Sequence, residues 1–354
     1  MIIDAQSIVV YLGLLFVSFG LAKIAEKTNI KKVVWLIVLL ISLVAGLRAV
    51  SVGIDTRTYD HVFRLIENGT IKRVYGMEKS YIYICSALLK IWANNHFLFF
   101  IFAWISNALI IFRLWKDREF IAFRWSIFTY CIGFFPFSLN GMRQFVAIAI
   151  IFYATSFIKE GKYVKFILSI MIASLFHTTA IIGLAYLPFE LIFMKYFDEK
   201  RKRNIFLLIL VGGVFGVSRV LQLTSIYSKY FDRPSSSIGL MMVVKLLLLL
   251  LSIAAFELPK EEDKRYFCLS QRWCYFIGVL LNSLSYVFLY MGRIGWYFYI
   301  FETVYIGQLF KSEQRTIWTL LVKMSYVVIL FYYLYDNITH GGQGEVPYRF
   351  FWQQ

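Results

Sequence analysis

Charge is scarce in this sequence. Of 354 residues only 16% are Asp, Glu, Lys or Arg, against about 25% in soluble globular domains. With 60% apolar residues, so few charges cannot cover a water-facing surface, because contiguous apolar patches would dominate it. That excludes a soluble enzyme or regulatory domain. Cysteine is scarce as well. Cys85, Cys131, Cys268 and Cys274 are the whole complement, and without C-x-x-C spacing they speak against a disulfide framework or a metal site. Acidic residues number only 21 against 37 basic ones. Prolines are five, and no Gly/Ser linker, internal repeat or low-complexity tract divides the chain. The opening MIIDAQ has no basic stretch ahead of its apolar run, so the pattern of a cleaved signal is missing and the first run is expected to stay.

What is abundant is apolar and aromatic: mean hydropathy is +0.66 and aromatics reach 19%. A hydrocarbon core about 30 Å thick takes about 20 helical residues. Apolar runs stand near 7–22, 33–50, 97–114, 121–139, 142–158, 163–176, 178–194, 204–220, 237–256, 273–291, 293–310 and 317–335. The pattern predicts an all-α polytopic membrane protein of about 12 transmembrane helices, one transmembrane domain over 1–354. The segment 81–92 reaches only about 20 Å and is too short to span. Its Tyr83, Ser86 and Lys90 share a stripe opposite Ile84, Leu88 and Ile91, which predicts an interfacial helix.

Charge sets the orientation. If 81–92 does not span, the alternate loops 23–32, 113–124, 159–165, 195–203, 260–272 and 311–315 carry 4, 4, 3, 5, 4 and 2 Lys or Arg, 22 of the 37. Positive loops stay in the cytoplasm. Both termini and the 51–96 loop are then extracytoplasmic. The net charge of +16 points to anionic lipid and a cytoplasmic face rather than to nucleic acid.

Unusual polar residues collect on the outer side. Arg48 precedes GIDTRTY, which holds Gly53, Asp55 and Tyr59. Glu78 ends the same loop, Asn140, Arg143 and Gln144 sit in LNGMRQ, and His177 lies in LFHTTA. Arg293 and Tyr297 lie in MGRIGWYF, and Tyr348 in the PYR tail. Taken singly, each has an ordinary reading: Arg48 as a snorkelling arginine, Asp55 as the cap of the helix that follows, His177 as a helix-turn residue. Asn140, Arg143 and Gln144 share one helix face at a depth where polar groups face a cavity or a partner. As a set, these residues read as a site. Arginines suit a phosphate or diphosphate without a metal, the hydroxyls, amides and aromatics suit sugars, and His177 or Asp55 suits proton removal from a hydroxyl. Lys245 and Glu302, mid-span, read as a structural pair or as a polar pathway.

The motifs R-x4-G-x-D-T-x2-Y from Arg48 to Tyr59, N-x2-RQ from Asn140 to Gln144, FHTTA around His177, RIGWY at Arg293 and the late PYRFF resemble the EpsG-like branch of the Wzy polysaccharide polymerases. The likeness runs in order over nearly the whole chain. One position departs from it: Glu78 is followed by Lys79 where the family pattern has proline. The resemblance implies a GT-C-like glycosyltransferase of the bacterial cytoplasmic (inner) membrane, working at its periplasmic or outer face. Its donor and acceptor would be glycan repeat units on undecaprenyl diphosphate, and no cofactor is implied. Arg48, Arg143 and Arg293 would hold the diphosphate, His177 or, second, Asp55 would be the catalytic base, and Tyr59, Glu78, Asn140, Gln144, Tyr297 and Tyr348 would position sugars. A chain-length regulator and a flippase would be partners in the membrane. Two alternatives stand beside it. An O-antigen ligase shares the chemistry but is favoured by a large outer loop, and a flippase by repeated halves and charges spread through the membrane.

Overall fold

A computed structural model of the chain describes residues 4–70, 77–193, 240–285, 289–342 and 344–353. The expected span 204–220, the basic loop 195–203 and the beginning of the 237–256 run lie outside them. Asp4 opens the first helix, α1 (Ala5–Thr28), by accepting the Ser7 N–H at 2.8 Å. Asn29, in the left-handed region at φ 54°, ends α1 and turns the chain into α2 (Lys31–Gly46). Two short helices follow, α3 (Thr56–Glu67) and α4 (Lys79–Ile91), then the long α5 (Asn95–Lys116). The run expected at 121–139 is two helices, α6 (Phe123–Gly133) and α7 (Phe135–Asn140), broken at Phe134 with Pro136 in the first turn of α7. Beyond α8 (Met142–Lys159) and α9 (Tyr163–Ser174), residues Thr178–Ala185 form a 3-10 helix, Tyr186–Pro188 one α turn and Phe189–Phe193 a π turn. The chain closes with α10 (Leu240–Ala255), α11 (Glu262–Leu284), α12 (Leu289–Tyr299), α13 (Glu302–Lys311) and α14 (Ile317–His340).

The protein is therefore an all-α, multi-pass membrane protein. Four of the described helices, α1, α5, α8 and α14, are long and apolar enough to cross a bilayer. The other apolar runs fold as shorter or interrupted helices, so the described residues do not yield twelve continuous spans. The reason is physical: hydropathy counts apolar side chains, whereas a span also needs an unbroken ladder of main-chain hydrogen bonds. Broken helices persist where neighbours shelter the freed carbonyls, as the Asn337 amide does for Ile132 at 3.2 Å beside the α6–α7 break. The segment expected at 81–92 is the 13-residue α4, close to its predicted bounds. Its buried stripe is Tyr81, Cys85 and Leu89, not the Ile84, Leu88 and Ile91 stripe, and Ile91 is 75% exposed.

Large apolar side chains remain exposed on α1 (Phe16, Val17), α9 (Val164, Met171) and α14 (Ile317, Trp318), which suits hydrocarbon and not water. Inside, α2 packs on α5, α5 on α8, α8 on α9 and α11 on α12. The last pair crosses so closely that a β-carbon on Gly278 would overlap the Tyr299 backbone. Between α10 and α13, Lys245 pairs with Glu302 at 2.9 Å, both carboxylate oxygens and Tyr275 joining the network. The structural reading of these two charges is the one the packing supports.

Side-chain contacts sort the loops into two ends. At one, Arg118 donates to Asn29, Arg124 pairs with Glu26 and Lys116 with Glu160, so the basic loops 23–32, 113–124 and 159–165 meet. At the other, residues 53–55 meet Asn140 and Gly344, and Glu78 meets Thr178. Helices α5 and α8 run between the two ends.

Candidate active site

The α7–α8 turn positions the first part of the site. Asn140 ends α7, and its side-chain oxygen accepts the main-chain N–H of Asp55 at 2.8 Å. The turn before Asp55 requires glycine: Gly53 has φ +94°, and a β-carbon there would lie 2.8 Å from the Leu139 carbonyl. Its N–H donates to the Gly344 carbonyl at 2.7 Å, so the C-terminal tail helps to hold this turn. Asp55 stands at the N-cap of α3, but its carboxylate makes no cap bond and stays exposed.

The centre is built one turn further into α8. Arg143 pairs with the Glu78 carboxylate, bonds the Tyr59 hydroxyl and lies 5.5 Å over the Tyr81 ring. The other carboxylate oxygen of Glu78 accepts the Thr178 N–H at 2.9 Å. Glu78 thus clamps Arg143 to the turn that carries His177. That imidazole, 9% exposed, takes the N–H of Thr179 on Nδ1 at 3.3 Å and touches the Thr179 hydroxyl at 2.6 Å. The same hydroxyl reaches the Tyr297 hydroxyl at 3.1 Å. On the neighbouring face of α8, Gln144 donates to the Arg293 carbonyl at 2.5 Å, which fixes the backbone that presents the exposed Arg293 side chain.

Burial pushes the His177 pKa down to about 4; Glu78 opposes this shift, and Arg143 and Arg293 add to it. The ring is consequently neutral at physiological pH. A main-chain N–H only donates, so Nδ1 is the acceptor and the single proton sits on Nε2. In this tautomer the free edge of His177 is a hydrogen-bond donor.

Two expected site residues sit apart from this cluster. Arg48 is 1% exposed; it donates to the Ala45 and Leu139 carbonyls and lies 4.5 Å over the Phe99 ring. Tyr348 is fully buried, donating its hydroxyl to the Val44 carbonyl and its N–H to the Ser7 hydroxyl at 2.6 and 2.7 Å. Both knit the tail and the end of α2 into the frame. The cluster in turn contains residues that sequence reasoning did not select: Thr178, Thr179 and Tyr81. The two threonines stand in the FHTTA motif, so their signal was present, but only folding shows that they bridge His177 to Glu78 and Tyr297.

The fold and this cluster together define a multi-pass helical membrane protein with a polar, arginine-bearing site at one end of its bundle. The chain belongs to the EpsG family, a Wzy-like polymerase family, whose model matches residues 31–350 and so includes every site residue named above. No curated protein and no solved structure matches significantly.

Proposed function

We propose that this protein is a Wzy-type polysaccharide polymerase. In this reading it joins oligosaccharide repeat units carried on undecaprenyl diphosphate, at the outer face of the bacterial cytoplasmic membrane, within a GT-C-like helical frame. The observation that supports it most is the convergence of Glu78, Arg143, His177 and Tyr297, from four separate stretches, beside Arg293. Membership of the family supplies the reaction class.

The chemistry balances without further groups. A sugar hydroxyl of the acceptor attacks the anomeric carbon of the donor glycan, a new C–O bond forms, and the bond to the lipid diphosphate breaks with its electron pair leaving on the phosphate oxygen. Arg143 and Arg293 neutralise that charge as it develops, which is where electrostatic stabilisation acts. His177, with its proton on Nε2, donates to the same oxygens. The exposed carboxylate of Asp55 takes the acceptor proton, so the base role passes from His177 to Asp55. Glu78 orients Arg143, Gln144 and Asn140 hold the backbones of Arg293 and Asp55, and Tyr59 and Tyr297 position sugars. Arg48 and Tyr348 serve the frame rather than the ligand. The basic loops gathered at the opposite end support placing the site on the outer face.

The test is deletion of the gene in its host, analysis of the surface glycan on a gel, and complementation with Arg143→Ala. The proposal expects a ladder reduced to single repeat units that the wild-type gene restores and Arg143→Ala does not. Loss of all surface glycan with lipid-linked units retained inside would assign a flippase, and an intact ladder would reject both.

A further inference from the structure

A cavity opens at the end of the bundle remote from His177, where α11, α13 and the 256–259 and 312–314 connections meet. It holds about 490 Å³. Its deep wall is formed by Arg272, Gln308, Tyr305 and Phe256. The rim is exposed and of mixed charge, with Glu119, Glu257 and Glu313 beside Lys264 and Lys311. The rim charges largely offset one another with one acid in excess, so the cation that would draw an anion is Arg272 on the deep wall. Arg272 is 9% exposed and Gln308 8%. The Nε of Arg272 and the amide nitrogen of Gln308 are buried without a hydrogen-bond acceptor, and among the described residues no carboxylate pairs with Arg272. Buried donors in this state are costly, and a buried guanidinium lacking a counter-ion more so. An occupant seated against this wall is favoured when it offers acceptors and carries negative charge.

We infer that this cavity is an anion site for a phosphate group, separate from the candidate active site and at the opposite end of the α12–α13 pair. Arginine's fork and an amide donor are a phosphate-binding combination. The phosphate is supplied by an anionic lipid headgroup or by a phosphorylated solute. Gln314 lines the cavity three residues before α14, whose N-terminal end exposes Ile317, Trp318, Leu320 and Leu321, a surface along which acyl chains would run. Occupancy would link the state of this membrane face to the helix pair that carries Arg293.

The experiment is thermal unfolding of the purified protein under two titrations. One adds inorganic phosphate in detergent. The other compares nanodiscs of phosphatidylcholine with nanodiscs containing phosphatidylglycerol. Stabilisation by phosphate alone assigns a solute, and stabilisation only with phosphatidylglycerol assigns a lipid. In either case Arg272→Gln and Gln308→Leu should each weaken the apparent affinity by about tenfold, the loss of one charge-assisted hydrogen bond, whereas Lys23→Gln on exposed α1 should not. Gln308→Leu removes a buried unpaired amide, so its fold should survive even where Arg272→Gln unfolds. No stabilisation by either probe, or stabilisation that Gln308→Leu leaves intact, overturns the site.

Discussion

Arg143 is held by a carboxylate, a tyrosine hydroxyl and an aromatic face, which means its guanidinium plane is set before any substrate arrives. Lysine has the charge but not the fork. Arg143→Lys should cut polymerisation by roughly 100-fold, as removal of an oxyanion donor does, with the protein still present in the membrane; normal chain lengths from this variant would remove the diphosphate role. Glu78→Gln keeps the shape and loosens the clamp, and a comparable defect of up to about 100-fold is expected from misplacement alone. His177 makes a prediction in pH. Its folded pKa of about 4 lies below the ordinary 6.5, so the neutral ring is favoured and protonation disrupts the site only as pH falls towards 4. A polymerisation assay run from pH 8 to pH 5 should show no acid limb near 6.5; a limb there that vanishes in His177→Asn would mean an imidazole that titrates normally and acts as base.

At the scale of elements, the site depends on turns and helix contacts that carry no reactive group. Gly53 is enclosed by the Leu139 carbonyl and the tail. Gly53→Ala should destabilise by at least the roughly 1–2 kcal/mol of an unfavourable left-handed residue, visible as a lowered melting temperature together with lost activity. The Lys245–Glu302 pair ties α10 to α13 within apolar surroundings. Replacing Glu302 alone by Leu leaves a buried ammonium and should cost about 3–5 kcal/mol, whereas the Lys245→Leu, Glu302→Leu double variant should recover most of it. Thermal unfolding of the three proteins decides this, and a double variant no better than the single would point to a functional rather than structural pair. The helix breaks belong here too. Residues 121–139 and 293–310 are apolar enough to read as single spans, and hydropathy contains no term for the main-chain interruption at Phe134 or at Ile300–Phe301.

For the whole molecule, arginines at one end and basic loops at the other define a polarity that a metal-dependent mechanism would not require. If Arg143 and Arg293 supply the positive charge, a chelator added to a membrane polymerisation assay should leave the rate unchanged, and inhibition relieved by a divalent cation would contradict the arginine account. The same polarity was legible in the Lys and Arg count, because charge cost across a bilayer acts on each loop independently of how helices pack. Asn140, Arg143, Gln144, His177 and Arg293 were likewise legible as candidates, because polar groups in apolar runs are expensive and therefore conspicuous. Arg48 and Tyr348 carried the same signal, and folding packs both against main-chain carbonyls, a setting that sequence does not distinguish from a ligand site.

Composition alone determined that this chain is a helical membrane protein, since side-chain transfer energies add along the sequence without reference to neighbours. Motif order placed it in its family for a similar reason, each motif being local. Tertiary structure alone decided that Glu78 faces Arg143 across 65 residues, that Thr179 joins His177 to Tyr297, and that the Thr179 N–H faces Nδ1 of the imidazole. Those facts depend on distances between segments far apart in the chain, and burial and hydrogen-bond geometry exist only once the segments meet.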